Sequence, residues 1–274
     1  MSRRQLEVGP HRVEFDLDRG ARLASLTVFG HDVLVGPDGD ELRWGSYPMA
    51  PWAGRIRHGR FTFDGVDHQL PLNLPPHAIH GTAFTSSWRD ETGVMALELG
   101  PPWPFPARLE QRAALAPTGL ALELRLTAAE QAMPAMLGWH PWFRRHVGGV
   151  DAELLLTADT MFEVDDDLIP TGRLVDPTPP PWDNTFTDVR DGPAIRWPGV
   201  LELQLRSSCR FWTIYTEPEH AICVEPQTEA PDVFNRLDEI VAPGATIGPG
   251  ASMTATFAIT WRRLEGDALG EAVS

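Results

Sequence analysis

The feature that most constrains this chain is its rhythm: short runs of alternating apolar and polar residues, cut by glycine and proline turns, along nearly its whole length. Val13, Phe15 and Leu17 alternate with polar neighbours, the two-residue period of a half-buried strand. Runs at 21–28 and 32–35 follow, separated by Gly30. Residues 61–63 and 66–70 flank Asp64 and Gly65, a dipeptide that favours a tight hairpin. Runs at 87–90 and 94–99 flank Gly93, and runs at 108–115 and 120–126 flank Pro117, Thr118 and Gly119. Further strands are expected at 153–157, 201–206, 210–216, 221–225 and 253–262. No segment holds a 3.6-residue apolar period beyond a turn or two, so helices are not expected. Strands at this density predict an all-β fold, a large antiparallel sandwich or barrel. The 26 prolines fall mostly between runs, as at Pro75 and Pro76 and across 177–182. No repeat and no clean boundary interrupts the 274 residues, so one domain over 1–274 is expected, with a frayed tail at 265–274.

Composition removes several functions. The formal net charge is -15, which sets the chain against nucleic acid and anionic membranes. Every basic residue is arginine. Without lysine there is no Schiff-base aldolase, no lysine-anchored pyridoxal enzyme and no Gly-Lys-Ser phosphate loop. Cys209 and Cys223 are too few for a disulfide scaffold or a thiolate zinc site and read as small buried thiols. Residues 1–7 show no signal-peptide pattern, and no window approaches the ~18 apolar residues of a membrane helix. A cytoplasmic location is expected.

Four segments gather polar groups at the ends of apolar runs. Arg55 lies between Trp52 and Ile56 in an arginine-rich loop; Arg57 and Arg60 read as solvated, whereas a guanidinium held against apolar neighbours makes a rigid fork for hydroxyls or carboxylates. His77 and His80, three apart, lack the further ligands of a metal site, and Gly81 suggests a tight bend beside His80. His140 precedes Pro141 and is therefore extended, among Trp139, Trp142 and Phe143; it reads as a core histidine or as a site group beside sugar-stacking rings. Glu225 ends an apolar strand before Pro226, where a carboxylate either reaches water or needs a partner. Outside these four, Asp183 sits in a proline-rich loop, where an Asx-turn is the ordinary reading.

In this order, Arg-Ile, a hairpin, His-Gly, His-Pro-Trp-Phe, Asp-x-x-Phe and Glu-Pro-Gln-x-x-x-Pro-Asp, with Asn235 beyond, the segments resemble the aldose 1-epimerase (galactose mutarotase) family from Trp52 to Asn235. The resemblance implies a galactose mutarotase-like β-sandwich (supersandwich) with a sugar cleft open on one sheet. It places Glu225 on the catalytic base, His140 on the catalytic acid, and His80, Arg55 and Asp183 on substrate-binding residues. It implies no cofactor and no metal, a small-molecule sugar as partner, and a monomer or homodimer. Gly54 and His77 stand where the family often has asparagine, which bears on the preferred sugar.

The function expected is interconversion of the α and β anomers of an aldohexose, with Glu225 taking the anomeric hydroxyl proton while His140 protonates the ring oxygen. Three alternatives stand beside it. One is a hexose 6-phosphate epimerase using Arg55, Arg57, Arg60, Arg144 and Arg145 as a phosphate clamp. Another is a non-catalytic carbohydrate-binding domain on the same fold. The third is a glycosidase using Asp183 and Glu225 as its two carboxylates.

Overall fold

The computed structural model describes residues 2–236 and 245–264; the expected frayed tail at 265–274 lies outside the described residues. Among those described, the chain is all-β with a few short 3-10 turns, and no helix is long and apolar enough to cross a membrane. Two large antiparallel sheets carry it, one of 11 strands and one of eight. At the heart of the larger sheet lie, side by side, Arg22–Val28, Ser46–Met49, Gly138–Arg144, Ala221–Gln227, Phe211–Tyr215 and Asp183–Val189. The smaller sheet is centred on Gly119–Ala128 and Ser252–Arg263. Its hairpins follow the turn chemistry read above, as where Leu115 pairs with Leu120 around Pro117 to Gly119.

The sheets pack face to face on one continuous apolar core. Rings meet across it, with Phe257 of the smaller sheet lying 5.7 Å from Trp139 and 6.3 Å from Trp212. Buried Gln111 ties the layers: its side-chain oxygen accepts from Trp139 Nε1 at 3.0 Å and its nitrogen donates to the Ala21 carbonyl at 2.8 Å. Because Trp139 points into this core, strand alternation turns His140 and the rest of its row toward the sheet's other face.

Two expectations change here. Asp183 does not sit in a loop: it opens the strand Asp183–Val189, whose partner Phe211–Tyr215 holds it opposite Tyr215. The prolines before it suggested a turn, but they end at Pro181 and leave Asp183 free to pair. The run at 32–35 shortens to the two-residue strand His31–Asp32, with Leu34 bridging Phe143 separately. Several strands too polar to show alternation were not expected, among them Arg3–Val8, Ala158–Val164 and Pro170–Val175.

One irregularity positions the site. Strands Gly138–Arg144 and Ala221–Gln227 pair at Gly138 with Gln227 and again from Trp142 with Cys223, in one unbroken register, yet the ladder is open between. Pro141 and Pro226 lie in that gap, each unable to donate a ladder hydrogen bond. The register sets His140 opposite Glu225 within the opening.

Candidate active site

His140 and Glu225 therefore meet because of strand pairing, not sequence proximity. His140 Nε2 lies 3.2 Å from Glu225 Oε1, and both side chains are almost wholly buried. Glu225 pairs in turn with Thr213, and Thr213 with Thr185, their hydroxyls 2.8 Å apart. On the other side His140 pairs with Tyr47. One row of cross-strand neighbours thus runs Thr185, Thr213, Glu225, His140, Tyr47. It floors a cleft of about 240 Å³.

The His140 ring is clamped. Tyr47 stacks on it at 4.9 Å between centroids and Trp142 at 5.2 Å, nearly parallel. His80 meets it edge-on at 4.9 Å. His80 itself has φ +59, a left-handed conformation costly for a non-glycine residue, and its Nδ1 accepts the Gly54 N–H at 3.2 Å. That acceptance leaves the His80 hydrogen on Nε2, available as a donor. Gly81 confirms the tight bend: at φ +77, a Cβ there would lie 1.9 Å from the Ala50 carbonyl oxygen.

Arg55 and Asp183 supply the polar wall. Arg55 Nη2 donates to Asp183 Oδ2 and Nη1 to the Leu168 carbonyl, both at 3.3 Å. Glu225 Oε2 accepts from Gln227 Nε2 at 3.2 Å. All five expected site residues line this one cleft. Its lining also includes Tyr47, Thr185, Thr213, Tyr215 and Gln227, of which Thr185 and Gln227 lay within segments singled out in the sequence. Three of these pairs, Asp183 with Thr185, Thr213 with Tyr215 and Glu225 with Gln227, are spaced by two, the signal of a shared strand face.

Burial governs the charges. It pushes the His140 imidazole down to about 3, with the Arg22 guanidinium a second cause. It pushes the Glu225 carboxyl well above the usual carboxylate range, reinforced by nearby Asp183 and opposed by the Gln227 amide and Arg55. His80 is likewise held well below an ordinary imidazole by burial, then by His140 and Arg55. Burial thus favours a neutral carboxylic acid beside a neutral imidazole, two groups that share a single proton.

His80, His140 and Glu225 offer one ligand atom each, all within 4.8 Å of one another. That spread is looser than the roughly 3.3 Å between ligands on a tetrahedral zinc with bonds of ~2.0–2.1 Å. Arg22 and Arg55, both within electrostatic reach of the trio, also oppose a dication. The arrangement suits proton transfer better than metal binding.

The two departures from the family pattern are resolved differently. Gly54 lines the cleft at φ +67, and a Cβ there would lie 2.5 Å from Pro231, which occupies that side of the wall. His77 is not part of the lining: it is buried against His58 at 5.4 Å and accepts the His58 N–H at 3.1 Å, with Asp167 3.7 Å away. Asn235 serves the fold as well, its amide donating to the Arg60 carbonyl and to Asp232.

The other arginines are engaged elsewhere. Arg57 pairs with Asp165 and Asp167, Arg60 with Gln69, and Arg145 with the carbonyls of Thr216, Pro218 and Ala221. Arg144 is not among the lining residues. Cys209 and Cys223 are buried free thiols, and burial pushes Cys209 up to about 12.

Comparison with known proteins adds independent findings. The sequence pattern of the family described as aldose 1-epimerase matches residues 16–196. Escherichia coli YihR is 30% identical over 171 residues, covering 56% of this chain and 54% of that protein. Mouse galactose mutarotase is 31% identical over 151 residues, covering 50% of this chain and 43% of the relative. The chain thus matches about half the length of these curated relatives. A galactose mutarotase-like protein from Clostridium acetobutylicum superposes with a TM-score of 0.82 at 16% identity, over 95% of each chain. At that identity the likeness shows a shared fold.

Proposed function

The chain belongs to the aldose 1-epimerase family, and from that premise we propose that it is a mutarotase of neutral aldohexoses in which Glu225 and His140 move the protons. The observation that carries this reading is the 3.2 Å contact of the two side chains on the floor of one cleft.

The proton count closes. With a closed pyranose bound, the reactive form is Glu225 carboxylate and His140 imidazolium. Glu225 removes the hydrogen of the anomeric hydroxyl, His140 protonates the ring oxygen, and the C1–O5 bond breaks. What remains is an open-chain aldehyde, a protonated Glu225 and a neutral His140. That is the protonation state that burial of the pair favours. Rotation about C1–C2 presents the other aldehyde face; neutral His140 then takes the O5 proton while Glu225 returns its own to O1. A 3.2 Å separation lets one proton pass between the pair, so either form is reached without exchange with solvent. Sugar hydroxyls and the Arg55–Asp183 pair supply the polarity that stabilises the ionic form. His80, Arg55 and Asp183 serve as hydroxyl contacts.

A binding-only module has no use for an acid and a base facing each other in its floor, and a glycosidase would need Asp183 uncommitted, whereas it is paired with Arg55. Polarimetry or NMR of freshly dissolved α-galactose and α-glucose tests the proposal. The protein should speed anomer exchange, and Glu225→Gln or His140→Asn should each lower the rate by ~10²–10⁴ with the fold intact. A Glu225→Gln protein that kept most of its activity would remove the assignment.

A further inference from the structure

Arg22 is an arginine with no exposed surface, a costly place for a charge that is always present. Its Nη1 donates to the Trp44 carbonyl at 2.8 Å and its Nη2 to the Glu41 carbonyl at 2.7 Å. Among the described residues its one ion pair is with the half-exposed Glu41 carboxylate at 3.5 Å. The guanidinium lies 4.2 Å from the Trp44 ring centroid and 4.7 Å from that of Tyr47. Gly45, at φ +66, packs directly on the arginine stem, where a Cβ would lie 3.0 Å from its Cγ and Cδ. The 40–45 segment, which brings Leu42 and Arg43 to the cleft, is therefore shaped around this side chain.

Strand register gives the placement a direction. Leu23 pairs with Ser46, which sets Arg22 beside Tyr47. Arg22 thus extends the row that runs through Tyr47, His140 and Glu225. Nothing in the chemistry proposed above uses it.

We propose that Arg22 is a positioning residue for the acid–base pair: through the Tyr47 ring it fixes the plane of His140 and holds a permanent positive charge behind it. The aromatic stack transmits the position, since Tyr47 and Trp142 hold the imidazole between them. The charge acts across a low-dielectric interior, where it disfavours imidazolium and so makes His140 a stronger acid toward the ring oxygen. The other ionisable groups facing His140 are Tyr47 and His80, both driven toward their neutral forms by burial, and Glu225. Arg55 and Asp183 beyond them form a mutually paired couple. Arg22 is then the fixed charge that sets the proton balance of the pair.

The kinetic test rests on the mutarotase reading; a spectroscopic arm does not. The pH dependence of kcat/KM would be recorded for the wild type, Arg22→Met, Arg22→Lys and Glu41→Gln, with imidazole ¹⁵N shifts of His140 across the pH range of the folded protein. Arg22→Met should lower kcat about tenfold or more at little cost in KM and move both limbs of the profile to higher pH, by ~0.5–1 unit. Arg22→Lys keeps the charge without the fork, so its limbs should stay near the wild type while kcat falls. Glu41→Gln removes the countercharge at a partly exposed position and should move the limbs the other way. A fall in kcat with both limbs and the His140 shifts unmoved in Arg22→Met would overturn the proposal. Should Arg22→Met not fold, an unmoved profile and unmoved shifts in Glu41→Gln would do the same. If no aldose is turned over, the functional reading fails, while the His140 shifts of the Arg22 variants still decide this one.

Discussion

Glu225 is 2% exposed and accepts one amide hydrogen bond, from Gln227, so its environment favours the carboxylic acid over the carboxylate. Its pKa in the folded protein lies well above the unfolded value of ~4.3. The folded state therefore binds this proton more tightly than the unfolded chain does. The stabilisation that follows is fully present below the unfolded pKa and is lost as pH rises through the folded one. Glutamine cannot ionise and escapes that loss. Glu225→Gln should accordingly gain stability relative to wild type as pH is raised from 4 to 8, by roughly 1.4 kcal/mol for each unit of pH at which the unfolded chain alone is ionised. Urea unfolding at both ends of that range measures it. A stability difference independent of pH would mean that the carboxyl ionises as easily in the cleft as in water. The same variant should be catalytically crippled, so the residue trades stability for function.

At the scale of elements, the site is made by an opening in a ladder and by one strained corner. His80 and Gly81 are successive left-handed residues, pinned where Thr82 and Ala83 donate to the Ala50 carbonyl at 3.0 and 3.1 Å. Gly81→Ala adds a Cβ 1.9 Å from that same oxygen, against backbone that cannot step aside. It should cost at least about 2 kcal/mol in stability and lower mutarotation by displacing His80. Gly30→Ala, at φ +87 in open space, should cost only about 1 kcal/mol and leave activity unchanged. Equal losses in urea midpoint for the two would show that the contact at Ala50 is relieved by movement. This corner was legible in the sequence as His-Gly, and the strands around Gly93 and Pro117 were legible from their turns. His140 and Glu225 were legible as groups pinned by proline, but their meeting was expected only through the family resemblance, because cross-strand pairing is a long-range event that local pattern does not encode. Asp183 was legible as a site residue, but its place in a strand was hidden by the prolines before it. Tyr47 and Arg22 were hidden because an aromatic ring and an arginine near apolar runs look alike in core and in site.

For the whole molecule, the cleft stands on the face of the larger sheet turned away from the smaller one, in a chain of net charge -15. The choice between a neutral aldose and a sugar phosphate is decided by where the arginines end up. Of the five that could have formed a clamp, only Arg55 lines the cleft, and it is committed to Asp183. Arg43, the other arginine of the lining, is paired with Asp40 at 3.0 Å. Two acidic side chains, Asp183 and Glu225, line the same cleft. A dianionic phosphate would have to break an ion pair to find a partner while approaching a negative surface, so repulsion slows its entry as well as weakening its binding. Glucose should therefore exceed glucose 6-phosphate in kcat/KM by about 10-fold or more at low ionic strength. Added salt should narrow the gap, because screening shortens the reach of the surface charge but leaves the Arg55–Asp183 pair in place. Preference for the phosphate at low salt would require an arginine to leave its present partner, and Arg57, held by Asp165 and Asp167 beside the loop that carries Leu168, is the one whose release would reshape the cleft.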